Sequence, residues 1–315
     1  MKGKSVLTAQ LSDPHSSLPG PDDITREVLE NGITVLTRPN FNSPSVVVSG
    51  YLSAGGLSDP DDKLGLSDFT AAALMRGTAK RDFQGIYDAL ESAGASLSFN
   101  GATHTTSFSG KALSEDLALL LELLAESLRE PVFPGRQIAR LKAQMLTGLA
   151  LRAQDTRAMA SLIFDQLVYK DHPYSRPEDG FPETVEGIHR DDIAAFHQQY
   201  YGPQGLVIAV VGAVTPQDAV QWVRAALGGW KNPGQPQPPE LPSLAPLAQT
   251  ETQKFDIPGK SQSDLVVGVA GPARSADDFI AASVGNSVLG QFGMMGRIGD
   301  VVREQAGLAY YAYSS

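Results

Sequence analysis

The sequence predicts an α+β protein in which one domain is followed by the beginning of a second copy of itself. Three observations carry that expectation. Apolar periodicity switches between strand-like and helix-like from Glu27 to Gly228. Six prolines then fall between Pro233 and Pro246, the composition of a semi-rigid extended linker. Beyond the linker the order of elements starts again. With 315 residues, 42% hydrophobic and 19% charged, the chain is globular in composition, neither disordered nor fibrous.

Residues 1–24 are polar and punctuated by Pro and Gly, the pattern of a flexible arm. In VLENGITVLTRP two short apolar runs flank Asn31-Gly32, which predicts a hairpin closed by a type I′ turn. Val46–Leu52 is a β-branched strand. Leu66, Phe69, Ala73 and Leu74 make one apolar face of a helix over Leu64–Met75. A second helix spans Phe83–Ser92 and ends at Gly94. Ala95–Phe99 and Thr103–Gly110 alternate as a pair of strands. Leu117–Leu128 is helical until Pro131 and Pro134 stop it. Arg136–Gln154, Ala158–Tyr169 and Asp191–Tyr200 read as helices, the last capped through Arg190–Asp191. Leu206–Val211 is a continuous apolar run fit for a buried strand. Val214–Gly228 follows as a helix with Pro216 near its start.

After the linker the expected order is strand Leu265–Val269, helices Phe279–Leu289 and Ile298–Gln305, and strand Leu308–Ser314. The first domain opens in the same order, with Asp61–Asp62, Gly77 and Gly94 at equivalent junctions. The expected division is an arm over 1–24, a first domain over 25–230, a linker over 231–252 and a truncated second domain over 253–315.

A net charge of −10 with no Lys/Arg cluster argues against nucleic acid, whose binding needs clustered cations. There is no cysteine, so disulfides, thiolate zinc sites and a cysteine nucleophile are excluded. Of the five histidines, His15, His104, His172, His189 and His197, no two lie three or four residues apart, so no helical histidine pair exists to hold a metal. No apolar run reaches the roughly 20 residues of a membrane span, and the start does not read as a secretory signal. No membrane partner is expected. The expected location is cytoplasmic, with the periplasm left open if the N-terminus was trimmed.

Eight stretches carry a family resemblance: LENGITVL, SAGGLSDPDDKLGLSDF, MRGTAKRD, LESAGASL, REPVFP, DHPYSRPEDGFPETVEGI, YYGPQGLVIAVVGAV and VVREQAGLAYYAYSS. In order and spacing they resemble the pitrilysin/insulinase superfamily, in the branch related to mitochondrial processing peptidase. The resemblance implies a mixed sheet with helices on one face, duplicated, with a hinge-like linker between the copies. Active members carry an inverted zinc motif, H-x-x-E-H, whose two histidines bind zinc from one helical face. The glutamate between them takes a proton from zinc-bound water, and a further glutamate downstream completes the ligand set. Here Asp68 falls at the first histidine, Ala71 at the glutamate, Ala72 at the second histidine and Leu149 near the third ligand. The resemblance therefore implies no metal in this chain, with zinc expected in a partner subunit.

Family peptidases also use an arginine and a tyrosine to bind the substrate carbonyl and stabilise the oxyanion. REQAGLAY keeps that pair as Arg303 and Tyr310, seven positions apart, with Tyr311 as the neighbouring register on the opposite sheet face. Gly290, Gly293 and Gly296 precede them without the Lys-Ser/Thr of a phosphate loop. Resemblance to the processing peptidase's non-catalytic subunit implies a loop that touches peptide, and a plain helix–helix turn is the alternative. The function expected is a non-catalytic subunit of a heterodimeric zinc peptidase, with no peptidase activity of its own. Its partners would be a homologous zinc-motif-bearing subunit and an unfolded peptide, with a homodimer left open for the isolated chain. The alternative is a proteolytically inactive structural or peptide-binding homologue, like the core subunits of the respiratory complex.

Overall fold

Side-chain alternation organises the first unit. In the computed structural model, which describes residues 20–291 and 295–315, six strands form one mixed sheet. They are β1 (Thr25–Val28), β2 (Thr34–Pro39), β3 (Ser45–Leu52), β4 (Ser96–Gly101), β5 (Thr106–Leu113) and β6 (Val207–Gly212). The order across the sheet is β1-β2-β6-β3-β5-β4. The β2–β6 pair is parallel, and β6 pairs antiparallel with β3 on its other side. Val35, Val46, Val48, Leu52, Phe108, Ile208 and Val210 point to one face and are buried. Val47, Tyr51 and Val211 point to the other and are exposed. Each such buried aliphatic side chain contributes about 1.5–3 kcal/mol, so a register slip of one residue would reverse the sheet and lose the core.

The helices cover the buried face, as the family resemblance implies. They are α1 (Leu66–Ala73), α2 (Phe83–Ser92), α3 (Leu117–Arg129), α4 (Gly135–Arg152), α5 (Thr156–Val168), α6 (Pro182–Glu186), α7 (Arg190–Tyr200) and α8 (Pro216–Leu227). In α3, Leu117, Leu120, Leu121, Leu124 and Leu128 recur at helical spacing and are buried, the pattern of a core-facing stripe. Asp82 caps α2 by accepting from Gly85 N at 2.8 Å, and Thr215 caps α8 by accepting from Asp218 N at 3.2 Å.

Three local expectations are corrected, and one short helix is added. β1 and β2 form the expected hairpin, but Gly32 alone has positive φ, +92°, whereas a type I′ turn needs two such residues. Asn31 instead spends its side-chain amide on Leu227 O at 2.9 Å and Trp230 O at 3.2 Å. Helix α7 begins one residue earlier than read. Its cap is His189, whose N–H donates to Asp192 Oδ2 at 2.8 Å. The five-residue α6 is too short to show a helical period in the sequence. Finally, neither Leu265–Val269 nor Leu308–Ser314 is a strand. Leu265, Val267 and Leu308 are 86%, 83% and 79% exposed. An extended segment becomes a strand only when a neighbour takes up its backbone hydrogen bonds, and among the described residues none does.

The chain divides into two compact units. The first runs to Leu244 and takes in Gln253–Leu265; the second comprises Ala245–Thr252 and Val266–Ser315. The linker is tied to the first unit near its start, where the Gln235 amide accepts from Gln204 N and donates to Gln204 O, both at 3.0 Å. The second unit holds α9 (Phe279–Asn286) and irregular helical turns over Ser287–Gln291 and Gly299–Gln305.

Candidate functional site

Helix α1 carries Asp68, Ala71 and Ala72, the first three positions expected to match the zinc motif, and its start is held by several contacts. Gly65 precedes it with φ +93°; a β-carbon there would stand 2.9 Å from Asp179 O. Asp59 is buried and accepts from Gly65 N and Ser67 N, each at 2.9 Å. Burial pushes the Asp59 carboxyl up to about 7, against those hydrogen bonds.

Asp68 lies in the first turn of this helix, half-buried. Burial raises its carboxyl to about 6, and the charges of Asp179 and Glu178 add to the effect. Gly101 on β4 packs directly against it. Ala71 is buried and Ala72 half-buried on the same helix. Leu149 is buried on α4, which packs against α1. The fold therefore joins the two helices that carry all four motif positions. Only one of those side chains has a lone pair to offer. Two methyl groups and an isobutyl group cannot coordinate zinc or accept a proton, so these residues do not fit the metal. Among the described residues, no three His, Cys, Asp or Glu side chains group to hold an ion.

Around Asp68 the rim is polar and was not visible in the sequence. Glu178 accepts from Thr103 N at 2.7 Å and from Thr103 Oγ1 at 2.6 Å. Arg152 pairs with Asp179, donates to Gly180 O at 2.9 Å and lies over the Phe181 ring. His104 Nε2 meets Tyr174 OH at 2.8 Å. The loop before α6 brings Glu178 and Asp179 to α1 across more than a hundred residues, a closure that no local pattern announces.

His172 and His197 have structural partners. His172 Nδ1 accepts from Tyr174 N at 3.1 Å, and its Nε2 faces Pro242 O at 3.2 Å. His197 Nε2 faces Leu128 O at 2.9 Å, and burial holds that imidazole below its usual range. His15 lies outside the described residues.

In the second unit, the guanidinium carbon of Arg303 lies 5.6 Å from the Tyr310 ring centroid. Arg303 also pairs with Glu304 at 3.1 Å. Tyr310 is 86% exposed. With no strand here, the register alternative of Tyr311 on an opposite sheet face does not arise. Gly290 and Gly296 abut one another: a β-carbon on Gly296 would stand 2.6 Å from Gly290 Cα. Gly293 lies outside the described residues.

Fold and site together define a domain of one mixed sheet with helices on one face, in which the four positions expected to match a zinc motif offer no ligand set. Residues 34–171 match the family model described as insulinase, peptidase family M16, and residues 187–315 match that of the peptidase M16 inactive domain. The chain belongs to the M16 peptidase family. An uncharacterized zinc protease of Streptomyces coelicolor is 26% identical over 301 residues, covering 94% of this chain and 65% of the relative. Subunit 1 of the mitochondrial cytochrome b-c1 complex of Bos taurus is 24% identical over 270 residues, covering 84% and 55%. A solved peptidase M16 inactive domain from Pseudomonas fluorescens superposes with a TM-score of 0.78 at 26% identity, covering 93% of this chain and 70% of that one. The chain thus spans about two thirds of the length of the first relatives it matches. Among the described residues, no helix is long and apolar enough to cross a membrane.

Proposed function

We propose that this chain is a non-catalytic subunit of a heterodimeric zinc peptidase. A homologous subunit holds the zinc; this one contributes Arg303 and Tyr310 to that subunit's site. The observation that carries the reading is an asymmetry. Asp68, Ala71, Ala72 and Leu149 have lost the ligand chemistry, while the guanidinium and phenol remain, 5.6 Å from one another. Both groups are donors suited to the negative charge that develops on a carbonyl oxygen under attack. In this reading the chain binds an unfolded peptide, and Gly290, Gly293 and Gly296 form a loop that touches it. The residues over 25–230, 231–252 and 253–315 serve as first domain, linker and second domain.

The test is reconstitution with a zinc-motif-bearing homologue. Arg303→Ala is expected to lower kcat on the order of a hundredfold or more, with little change in KM. Full activity in that variant sinks the assigned role. Metal analysis separates the proposal from independent catalysis, since stoichiometric zinc with chelator-sensitive cleavage by the isolated chain would overturn it. Similarity to the cytochrome b-c1 subunit favours a second reading, an inactive scaffold. Peptide binding without cleavage, with any partner, would support that one.

A further inference from the structure

The linker has few ways of holding on to the first unit. A proline-rich stretch makes no internal hydrogen bonds, and it offers carbonyls but few N–H donors. Its place is therefore set by the side chains that reach it. Gln204 and Gln235 make the first tie, joined by Gln237 Nε2, which donates to Gln204 Oε1 at 3.4 Å. Residues 238–242 are then exposed. The second tie is a single bond, between His172 Nε2 and Pro242 O at 3.2 Å. Both residues belong to the first unit.

The turn that ends α5 places His172. Asp171 has φ +59°, a left-handed conformation that Asp tolerates, and His172 N donates to Tyr169 O at 2.9 Å. The imidazole is buried, with the ring centroids of Tyr169 and Tyr174 at 6.0 and 4.6 Å. Its Nδ1 accepts from Tyr174 N at 3.1 Å. A neutral imidazole carries one N–H, so with Nδ1 accepting, the proton sits on Nε2 and is donated to Pro242 O. The two bonds together select one tautomer. A second proton would have to sit on Nδ1, facing the Tyr174 N–H. Turning the ring over gives no relief, because an imidazolium has two donors and no acceptor. The protonated ring either leaves that N–H unpaired in a buried place or swings out and gives up Pro242. The titratable groups facing it are the two tyrosines; His104 reaches Tyr174 OH instead. Lys170 and Asp171 in the turn, and Glu240 on the linker, are exposed.

We propose that His172 is a proton-operated latch on the linker: the neutral ring holds Pro242, and the protonated ring releases it. Imidazole is the side chain that changes charge between about pH 5 and 8, so mild acid opens the latch. The linker is the covalent path to the second unit. With Pro242 released, its untied stretch begins after Gln237, about five residues earlier, or about 15 Å of extended chain. The contact lies within this chain, and the latch requires neither a zinc-bearing partner nor Arg303.

The experiment is limited proteolysis of the 315-residue chain with a glutamate-specific protease at about pH 8 and about pH 5. Mass spectrometry follows cleavage after Glu240. Dividing by the rate for a free peptide of residues 236–243 removes the protease's own pH response. Cleavage then tracks the population of released linker. Loss of one hydrogen bond should raise the relative rate about two- to tenfold at the acidic pH. His172→Phe keeps the ring contacts and loses both bonds, so it should be cut at the raised rate at both pH values. His172→Gln can accept from Tyr174 N and donate to Pro242 O but cannot take up a proton, so its rate should not respond to pH. His104→Gln should respond as the unaltered chain does. Cleavage after the buried Glu126 marks a variant that has unfolded; should His172→Phe be cut there, His172→Gln decides alone. An unaltered chain whose linker is cut equally at both pH values overturns the proposal. So does a pH response that survives in His172→Gln, or a folded His172→Phe as resistant as the unaltered chain at the higher pH.

Discussion

Gly101 on β4 lies so close to Asp68 on α1 that a β-carbon at 101 would stand 2.6 Å from the Asp68 Cα. Strand and helix touch here backbone to backbone, at the residue we propose to match the first histidine of the zinc motif. The absence of a side chain at 101 is what lets α1 seat at this depth.

Gly101→Ala should therefore force α1 away from the sheet. Overpacking of this kind costs about 1–3 kcal/mol. Urea denaturation should show a lower midpoint with an unchanged slope. An alanine variant of full stability would mean that α1 slides freely on β4.

Asp68 should make stability depend on pH with an inverted sign. Its folded carboxyl titrates at about 6, above the usual value near 4, so the folded state binds the extra proton between those limits. Stability falls as pH rises from about 4 to about 6 and stays lowered above that. Asp59, raised to about 7, acts in the same direction. Asp68→Asn should accordingly stabilise the chain at pH 8 by about 1–2 kcal/mol, and the gain should vanish near pH 4. Thermal denaturation across pH measures it; an equal gain at both ends would refute the cause given.

Glu126 gives the opposite dependence. It is 3% exposed, accepts from Thr78 Oγ1 at 3.3 Å, and pairs with Arg81 and with Lys80 at 3.3 Å. Burial pushes its carboxyl up, but the Arg81 hydrogen bond and charge, with Lys80, outweigh burial and hold it below the usual range. Its contribution is present above the unfolded value and lost as pH falls through the folded one. Glu126→Ala removes the hydrogen bonds to Arg81 and Thr78 but leaves Arg81 paired with Glu122 at 3.2 Å and Lys80 exposed, so the change costs about 1–3 kcal/mol. Chemical denaturation at pH 7 reads that loss directly.

Restoring the motif should restore metal binding only at a cost. Leu149→Glu alone places a carboxylate at a position 3% exposed and should destabilise by about 2 kcal/mol or more. Combined with Asp68→His, Ala71→Glu and Ala72→His, it should become zinc-dependent: low melting temperature with chelator, a higher one with zinc added. A quadruple variant blind to zinc would show that α1 and α4 no longer meet at ligand distance.

The sequence made some of this legible and concealed the rest for physical reasons. Helix α2 could be read to the residue because its apolar period and the Gly94 that ends it are local signals, and the structure adds Asp82 as its cap. The parallel β2–β6 pair could not, because pairing partners far apart leave no local trace. At the candidate site, Asp68, Ala71, Ala72 and Leu149 were found through the family pattern rather than through their own chemistry. Their acidic neighbours Glu178 and Asp179 were missed, since only the closure of the loop before α6 brings them to α1.

The strand order has one more consequence, for the time at which the protein takes shape. β6 sits between β2 and β3, so before it arrives the sheet exists as two pieces: the β1–β2 hairpin and the β3–β5–β4 ribbon. On the ribosome, both pieces emerge long before Val207–Gly212 does. The closing strand is the last of the six to be synthesised, and it must enter between two edges already made. Until then the backbone edges of β2 and β3 stand open to solvent and to other nascent chains. Holding those edges apart from unintended partners is thus a demand that this topology places on the cell before the first domain can close.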